Sequence, residues 1–172
     1  MTLGIDVSKV YTDMVLISKT NDIVQKKMIY LYLVNYAESN EEVALMAVNT
    51  FNMDCEPLPG SDPKIRGLAL RNLCSLRFTG AFEYILPAIT KALSDVDAYV
   101  KRTAIIGLIK LYRTSKDLIR DSNFVEQLYE LIKDPEPIVS ANAIIALNEI
   151  LEEEGGIAVS RKMVVYLLNR VT

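Results

Sequence analysis

Residues 61–76, SDPKIRGLALRNLCSL, decide the fold. Asp62 stands before Pro63, and Ile65, Leu68, Ala69, Leu73 and Leu76 recur at three- and four-residue spacing. An acid that can accept from free N–H groups, followed by a proline with φ already helical, describes the start of a helix. The apolar spacing then describes one buried face. Residues 96–111, VDAYVKRTAIIGLIKL, and 135–150, PEPIVSANAIIALNEI, restate the pattern. Their faces are Val100, Ala104, Gly107, Leu108 and Leu111, and Val139, Ala143, Ala146, Leu147 and Ile150.

Outward from these stretches the spacing stays helical. It predicts helices near 6–18, 22–37, 41–54, 63–77, 81–93, 98–113, 123–133, 137–153 and 160–171, with Gly155-Gly156 as a stop after Glu154. Residues 114–122 read as a polar link with room for a short turn. No sustained polar/apolar alternation suggests a strand. The starts at Asp22, Asp62, Asp97 and Glu136 lie 40, 35 and 39 residues apart. A period near forty with two helices per unit predicts an all-α, right-handed α-solenoid of HEAT/armadillo-type hairpins. Residues 1–172 then form a single segment of about four hairpins plus a final helix. Each hairpin buries its apolar face only by stacking on its neighbours.

Asp22–Lys26, Asp62–Arg66 and Asp97–Lys101 place an acid at a helix start and a base four residues on. The acid suits the positive end of the helix dipole. The base has two candidate partners, that acid or an acid of the next repeat. Glu136 and Ser140 break the pattern in the last unit. Lys26, Lys27, Arg66, Lys101 and Arg102 thus form a basic stripe. It reads either as a surface for lipid headgroups or an acidic partner, or as an acid–base ladder between repeats, which is preferred because matching acids recur at the same spacing.

Composition narrows the chemistry. The chain has 172 residues, 51% of them hydrophobic, enough for a sizeable core. The longest apolar runs, such as MIYLYLV at 28–34, are too short to span a bilayer. With 19 basic and 22 acidic residues, the net charge of −3 gives no footprint for nucleic acid. There is no histidine, no glycine-rich phosphate loop and no nucleophile elbow, and Cys55 and Cys74 lack close-spaced metal-ligand partners. The expectation is no enzyme, no cofactor and no metal. The two cysteines read as reduced thiols of a cytosolic protein. The EEE run at 152–154 reads as a solvated helix end. Tyr30, Tyr32 and Tyr36 fit a peptide groove or, preferably, a core with hydroxyls reaching the surface. Asn142, inside an apolar stripe, predicts a buried amide bonded to an inter-repeat loop.

MTLGIDVS at 1–8, VQKKMIYLYLVNYAES at 24–39, ALMAVNTF at 44–51, DPKIRGLALRNLCSLR at 62–77 and DPEPIVSANAIIALNEI at 134–150 together resemble the amino-terminal trunk of the beta adaptins. These are large subunits of heterotetrameric vesicle-coat adaptor complexes. DIVQKKMIYLY, RGLALRNLCSLR and EEGG look most like the beta subunit of the fourth complex, that of the trans-Golgi network. The resemblance implies a non-catalytic trunk that binds the medium chain, the other large chain and the small chain. It implies recruitment by an Arf-type GTPase, sorting of transmembrane cargo, and a cytoplasmic location, peripheral on trans-Golgi or endosomal membranes and coated vesicles. ALMAVNT at 44–50 matches the family's GTPase-contacting stretch, so Leu45 and Val48, three apart on a helix, are the expected contact, with core packing as the alternative. MTLGIDVS matches an internal family segment, so about one repeat is expected ahead of Met1 and further trunk after Thr172. The apolar helix RKMVVYLLNRV at 161–171 then predicts self-association of the isolated piece. The rival reading is a HEAT-type scaffold of another kind, such as a nuclear transport receptor or a phosphatase scaffold.

Overall fold

The computed structural model describes residues 7–39, 41–120, 123–152 and 155–171. Among these residues there are helices and no strand. The helices are α1 (Tyr11–Ile17), α2 (Ile23–Tyr36), α3 (Glu41–Cys55), α4 (Pro63–Leu73), α5 (Phe82–Leu93), α6 (Ala98–Thr114), α7 (Lys116–Arg120), α8 (Phe124–Leu131), α9 (Pro137–Leu151) and α10 (Arg161–Val171).

Local chemistry sets the helix starts. Asp22 accepts from the N–H groups of Val24 and Gln25, Asp62 from Lys64 and Asp97 from Tyr99, at 2.8–3.2 Å. Pro63 and Pro137 open α4 and α9. After α9 the chain turns at Gly155 and Gly156, with φ of 96° and 91°, a region that disfavours any Cβ. The Gly156 N–H closes that turn on the Leu151 carbonyl at 2.8 Å.

Antiparallel pairs α1/α2, α3/α4, α5/α6 and α8/α9 pack as hairpins. Their second helices form one row, α2 on α4, α4 on α6 and α6 on α9, while α1, α3 and α5 follow one another in the other layer. This is an α-solenoid of HEAT-like hairpins. The core runs between the layers through Leu33, Phe51, Leu70, Ile89, Leu108 and Leu147, each fully buried.

Three sequence expectations change. The polar link 114–122 holds a true five-residue helix, α7, pinned by fully buried Ile119. The first helix starts with a 3-10 turn at Ser8–Val10 before α1; residue 6 lies outside the described residues, as do Glu153 and Glu154 of the EEE run. Asn142 is neither buried nor bonded to a loop. Its amide donates to the Ile138 carbonyl one turn back, at 2.7 Å, because its side chain points along α9.

The tyrosines are core residues. Tyr30 and Tyr32 are buried and Tyr36 half-buried. Two of their hydroxyls are taken up by bonds within the protein. Tyr32 donates to the Val7 carbonyl and Tyr30 to the Asp54 carboxylate.

Candidate functional site

The basic positions split into two groups. Lys26 on α2 meets Asp54 near the end of α3 at 2.6 Å. Arg66 on α4 meets Asp95 after α5 at 2.9 Å, and Lys101 on α6 meets Asp134 after α8 at 2.6 Å. In each case a base on a second helix reaches forward to an acid of the next hairpin. The helix-start acids Asp22, Asp62 and Asp97 accept from the backbone N–H groups of their own helices and are not the partners of these bases.

The central rung is the most complete. Arg66 Nε and Nη2 donate to the two Asp95 oxygens at 2.9 Å, and Nη1 donates to the carbonyl and hydroxyl of Ser61 at 2.8 Å. The Arg66 and Asp95 side chains are 5% and 2% exposed, so the pair is out of water. Asp95 also accepts from the Asp97 N–H, and Asp134 likewise from the Glu136 N–H, both at 2.9 Å. Each of these acids therefore fixes the entry to one helix while holding the base of the previous unit. In the first rung, burial and the bond to Asp54 push the Tyr30 phenol well above its ordinary range. Lys27 is exposed and Arg102 half-buried, and neither forms an ion pair among the described residues.

The α3 positions also separate. Leu45 is 43% exposed, whereas Val48 is 1% exposed. Val48 therefore belongs to the core with Ala44, Ala47 and Phe51 and offers no surface for a partner. Three residues turn a helix by about 300°, so the edge of the buried face falls between the two. The outward side of α3 instead combines Leu45 with Met46, Asn49 and Met53, the last 67% exposed. Methionine is pliant and suits surfaces that mould to a partner. The 3.6-residue period could have found Met46 and Met53, had the inward face been anchored on Phe51.

The cysteines are free, Cys74 buried and Cys55 half-buried. Burial pushes the Cys74 thiol up to about 12 and raises Cys55 as well. Protonated thiols are poor nucleophiles and poor metal ligands. No cluster of three or more metal-ligating side chains occurs among the described residues. No described helix is long and apolar enough to cross a membrane. What the molecule presents is helical surface carried on a keyed stack.

The sequence matches the adaptin N-terminal region over residues 1–172. The chain belongs to the adaptin family. This adaptin is 42% identical over its whole length to the AP-4 complex subunit beta-1 of Mus musculus, of which it covers 23%. It is 42% identical over 150 residues to the AP-4 complex subunit beta of Dictyostelium discoideum, with 87% of this chain and 18% of that protein aligned. It is 43% identical over 152 residues to the AP-1 complex subunit beta-1 of Homo sapiens, covering 88% of this chain and 16% of that one. The adaptin thus spans less than a quarter of the length of these relatives, all of them beta subunits, and the beta-adaptin resemblance holds.

Proposed function

We propose that this adaptin is a segment of the trunk of a beta-type large subunit in a vesicle-coat adaptor complex, most like the fourth complex. In this role it binds the medium, small and other large chains, and it joins trans-Golgi or endosomal membranes peripherally, through the complex, in vesicle-mediated protein transport. It acts as a scaffold and carries out no catalysis. The observation that carries this reading is the family match along the entire chain, together with relatives named as adaptor beta subunits. A solenoid suits the task because its rows of parallel helices present long surfaces on a frame of fixed register. Co-expression with tagged medium and small chains tests it. Recovery of a complex with those chains is expected. Recovery instead of nuclear transport or phosphatase subunits overturns it.

Contact with an Arf-type GTPase is assigned to the outward side of α3, with Leu45 as its centre. Leu45→Asp should leave stability within about 0.5 kcal/mol of the parent, as for exposed sites generally, and should abolish binding of the GTP-loaded form. Val48→Asp should cost several kcal/mol, since it buries an unpaired charge. Undiminished GTPase binding by Leu45→Asp removes this assignment without touching the scaffold role. The exposed side of α10, with Val164, Val165 and Leu168, supports self-association of the 172-residue chain. Sedimentation velocity should show a concentration-dependent shift, and a strict monomer at high concentration argues against it.

A further inference from the structure

Helices α4 and α6 approach closely because each offers the other a glycine. A Cβ on Gly67 would stand 2.2 Å from Cε1 of Tyr99, and one on Gly107 would stand 2.7 Å from Sγ of Cys74. With hydrogen at both positions, Tyr99 lies over α4 and Cys74 lies against α6. Along this seam is a groove of about 480 Å³, lined among others by Arg71, Ser75, Tyr99, Arg102, Ile106 and Lys110. Three of its lining residues are cations and none is a carboxylate, in a chain whose net charge is −3.

These cations differ from those of the ladder. Lys26, Arg66 and Lys101 each close on an acid, whereas Arg71, Arg102 and Lys110 form no ion pair among the described residues. Arg102 lays its guanidinium over the Tyr99 ring, 5.7 Å from the centroid, and its buried Nε has no acceptor. A buried donor left unpaired is costly, and a ligand that supplies an acceptor removes that cost. Lys110 donates to the Ser75 hydroxyl at 2.7 Å. Burial lowers the Lys110 pKa, Arg77 and Arg71 push the same way, and only the Cys74 thiol opposes them. The ammonium therefore sits among like charges without a counter-ion.

The geometry points to the α4/α6 groove as a binding site for a small ligand carrying two or more phosphate groups. Arg102 and Lys110 are eight residues apart on α6, about 12 Å along its axis, and Arg71 faces them from α4. One carboxylate or one phosphate cannot span that length, but a molecule with separated phosphates can. The guanidinium fork matches phosphate oxygens, and the groove volume lies in the range of small-ligand sites. Tyr99 and Ile106 add an apolar wall for a ring or carbon frame. The site lies between α4 and α6, has no lining residue from α3, and does not depend on the adaptor reading.

Isothermal titration of the full chain with inositol hexakisphosphate tests this, alongside inorganic phosphate and hexaglutamate. Saturable binding is expected for the polyphosphate, with single phosphate at least tenfold weaker. Arg71→Gln and Lys110→Gln, both at exposed side chains, should keep the parental melting temperature and each weaken binding at least tenfold. Lys27→Gln, an exposed cation outside the groove, should leave binding unchanged. Co-sedimentation with phosphatidylcholine vesicles, with and without a phosphorylated inositol lipid, separates the sources. Capture that Arg71→Gln abolishes assigns the groove to a headgroup, and no capture assigns it to a soluble polyphosphate. Absence of saturable binding, equal loss in Lys27→Gln, or hexaglutamate binding as tightly as the polyphosphate overturns the proposal.

Discussion

Residues 66 and 140 sit at the same point of the repeat, four residues past the helix start, and hold their hairpins by different means. Arg66 reaches into the next unit and forms a two-pronged pair with Asp95, with 2% of that acid's side chain exposed. Ser140 donates instead to the Ile132 carbonyl, inside its own hairpin. The helix starts differ too. Asp62 caps α4 with its side chain, whereas Glu136 makes no such bond and α9 relies on Pro137 and on Asp134. Yet both helices bury their apolar faces equally well: Ala69, Leu70 and Leu73 on α4, and Val139, Ala143 and Leu147 on α9, are all fully buried. Packing therefore does not require the charged rung. The rung acts between hairpins, where it rewards one register of stacking, and the serine acts within one.

The sharpest way to break this contrast is Arg66→Ala. It leaves Asp95 buried without its partner, and losses of about 3–5 kcal/mol are typical of such orphaned charges. Urea unfolding should report that loss, and the melting temperature should fall by roughly 6–20 °C. A change under about 1 kcal/mol would mean that the rung holds nothing. Adding Asp95→Asn to Arg66→Met sharpens the point. The neutral amide keeps an acceptor for the Asp97 N–H and removes the stranded charge. The double variant should recover at least about 2 kcal/mol relative to the single Arg66→Met, because the two sites are directly coupled. Strict additivity would show that the carboxylate and guanidinium do not sense each other.

Much of this frame was legible in the sequence, because caps and apolar spacing are local signals. Asp22, Asp62 and Asp97 marked real helix starts, and the faces read on α6 and α9 are the buried ones. The bases Lys26, Arg66 and Lys101 stood out, but their partners Asp54, Asp95 and Asp134 did not, since the link length between units varies and the pairing spans 28, 29 and 33 residues. Leu70 and Ile105, both fully buried, lay off the predicted faces. A second-layer helix is covered by its own partner and by neighbours on both sides, so burial wraps most of its circumference and a single-face rule misses part of it. Helix α7 is too short for any period to show. Val48 failed for a related reason: spacing groups residues on a side of a helix but does not say where the buried side ends. The α4/α6 groove left only a faint mark, glycines at 67 and 107 inside otherwise good helices.

Ser140→Ala should cost about 1 kcal/mol, the scale of one buried neutral hydrogen bond whose acceptor is stranded. Chemical denaturation of this variant beside Arg66→Ala compares the two solutions directly. If Ser140→Ala costs as much as Arg66→Ala, the hydroxyl is as important to the stack as the rung, and the distinction between holding within a hairpin and between hairpins fails.

The smallest effect is expected at a pair that looks like a rung by distance. Lys91 on α5 meets Glu56, just past α3, at 2.5 Å, and so also links successive hairpins. Its side chains, however, are 58% and 41% exposed, against 5% and 2% at Arg66 and Asp95. Water solvates both ions before and after pairing, and holding two long side chains in place costs entropy. Exposed pairs therefore contribute at most about 1 kcal/mol and often nothing measurable. Lys91→Ala should shift unfolding by less than about 0.5 kcal/mol. Whatever shift remains should vanish in about 0.5 M salt, where screening acts within a few ångströms. The loss in Arg66→Ala should persist there, because salt does not reach a buried carboxylate. A Lys91→Ala cost above about 1 kcal/mol, or one that survives high salt, would show that closeness rather than burial sets the strength of these contacts.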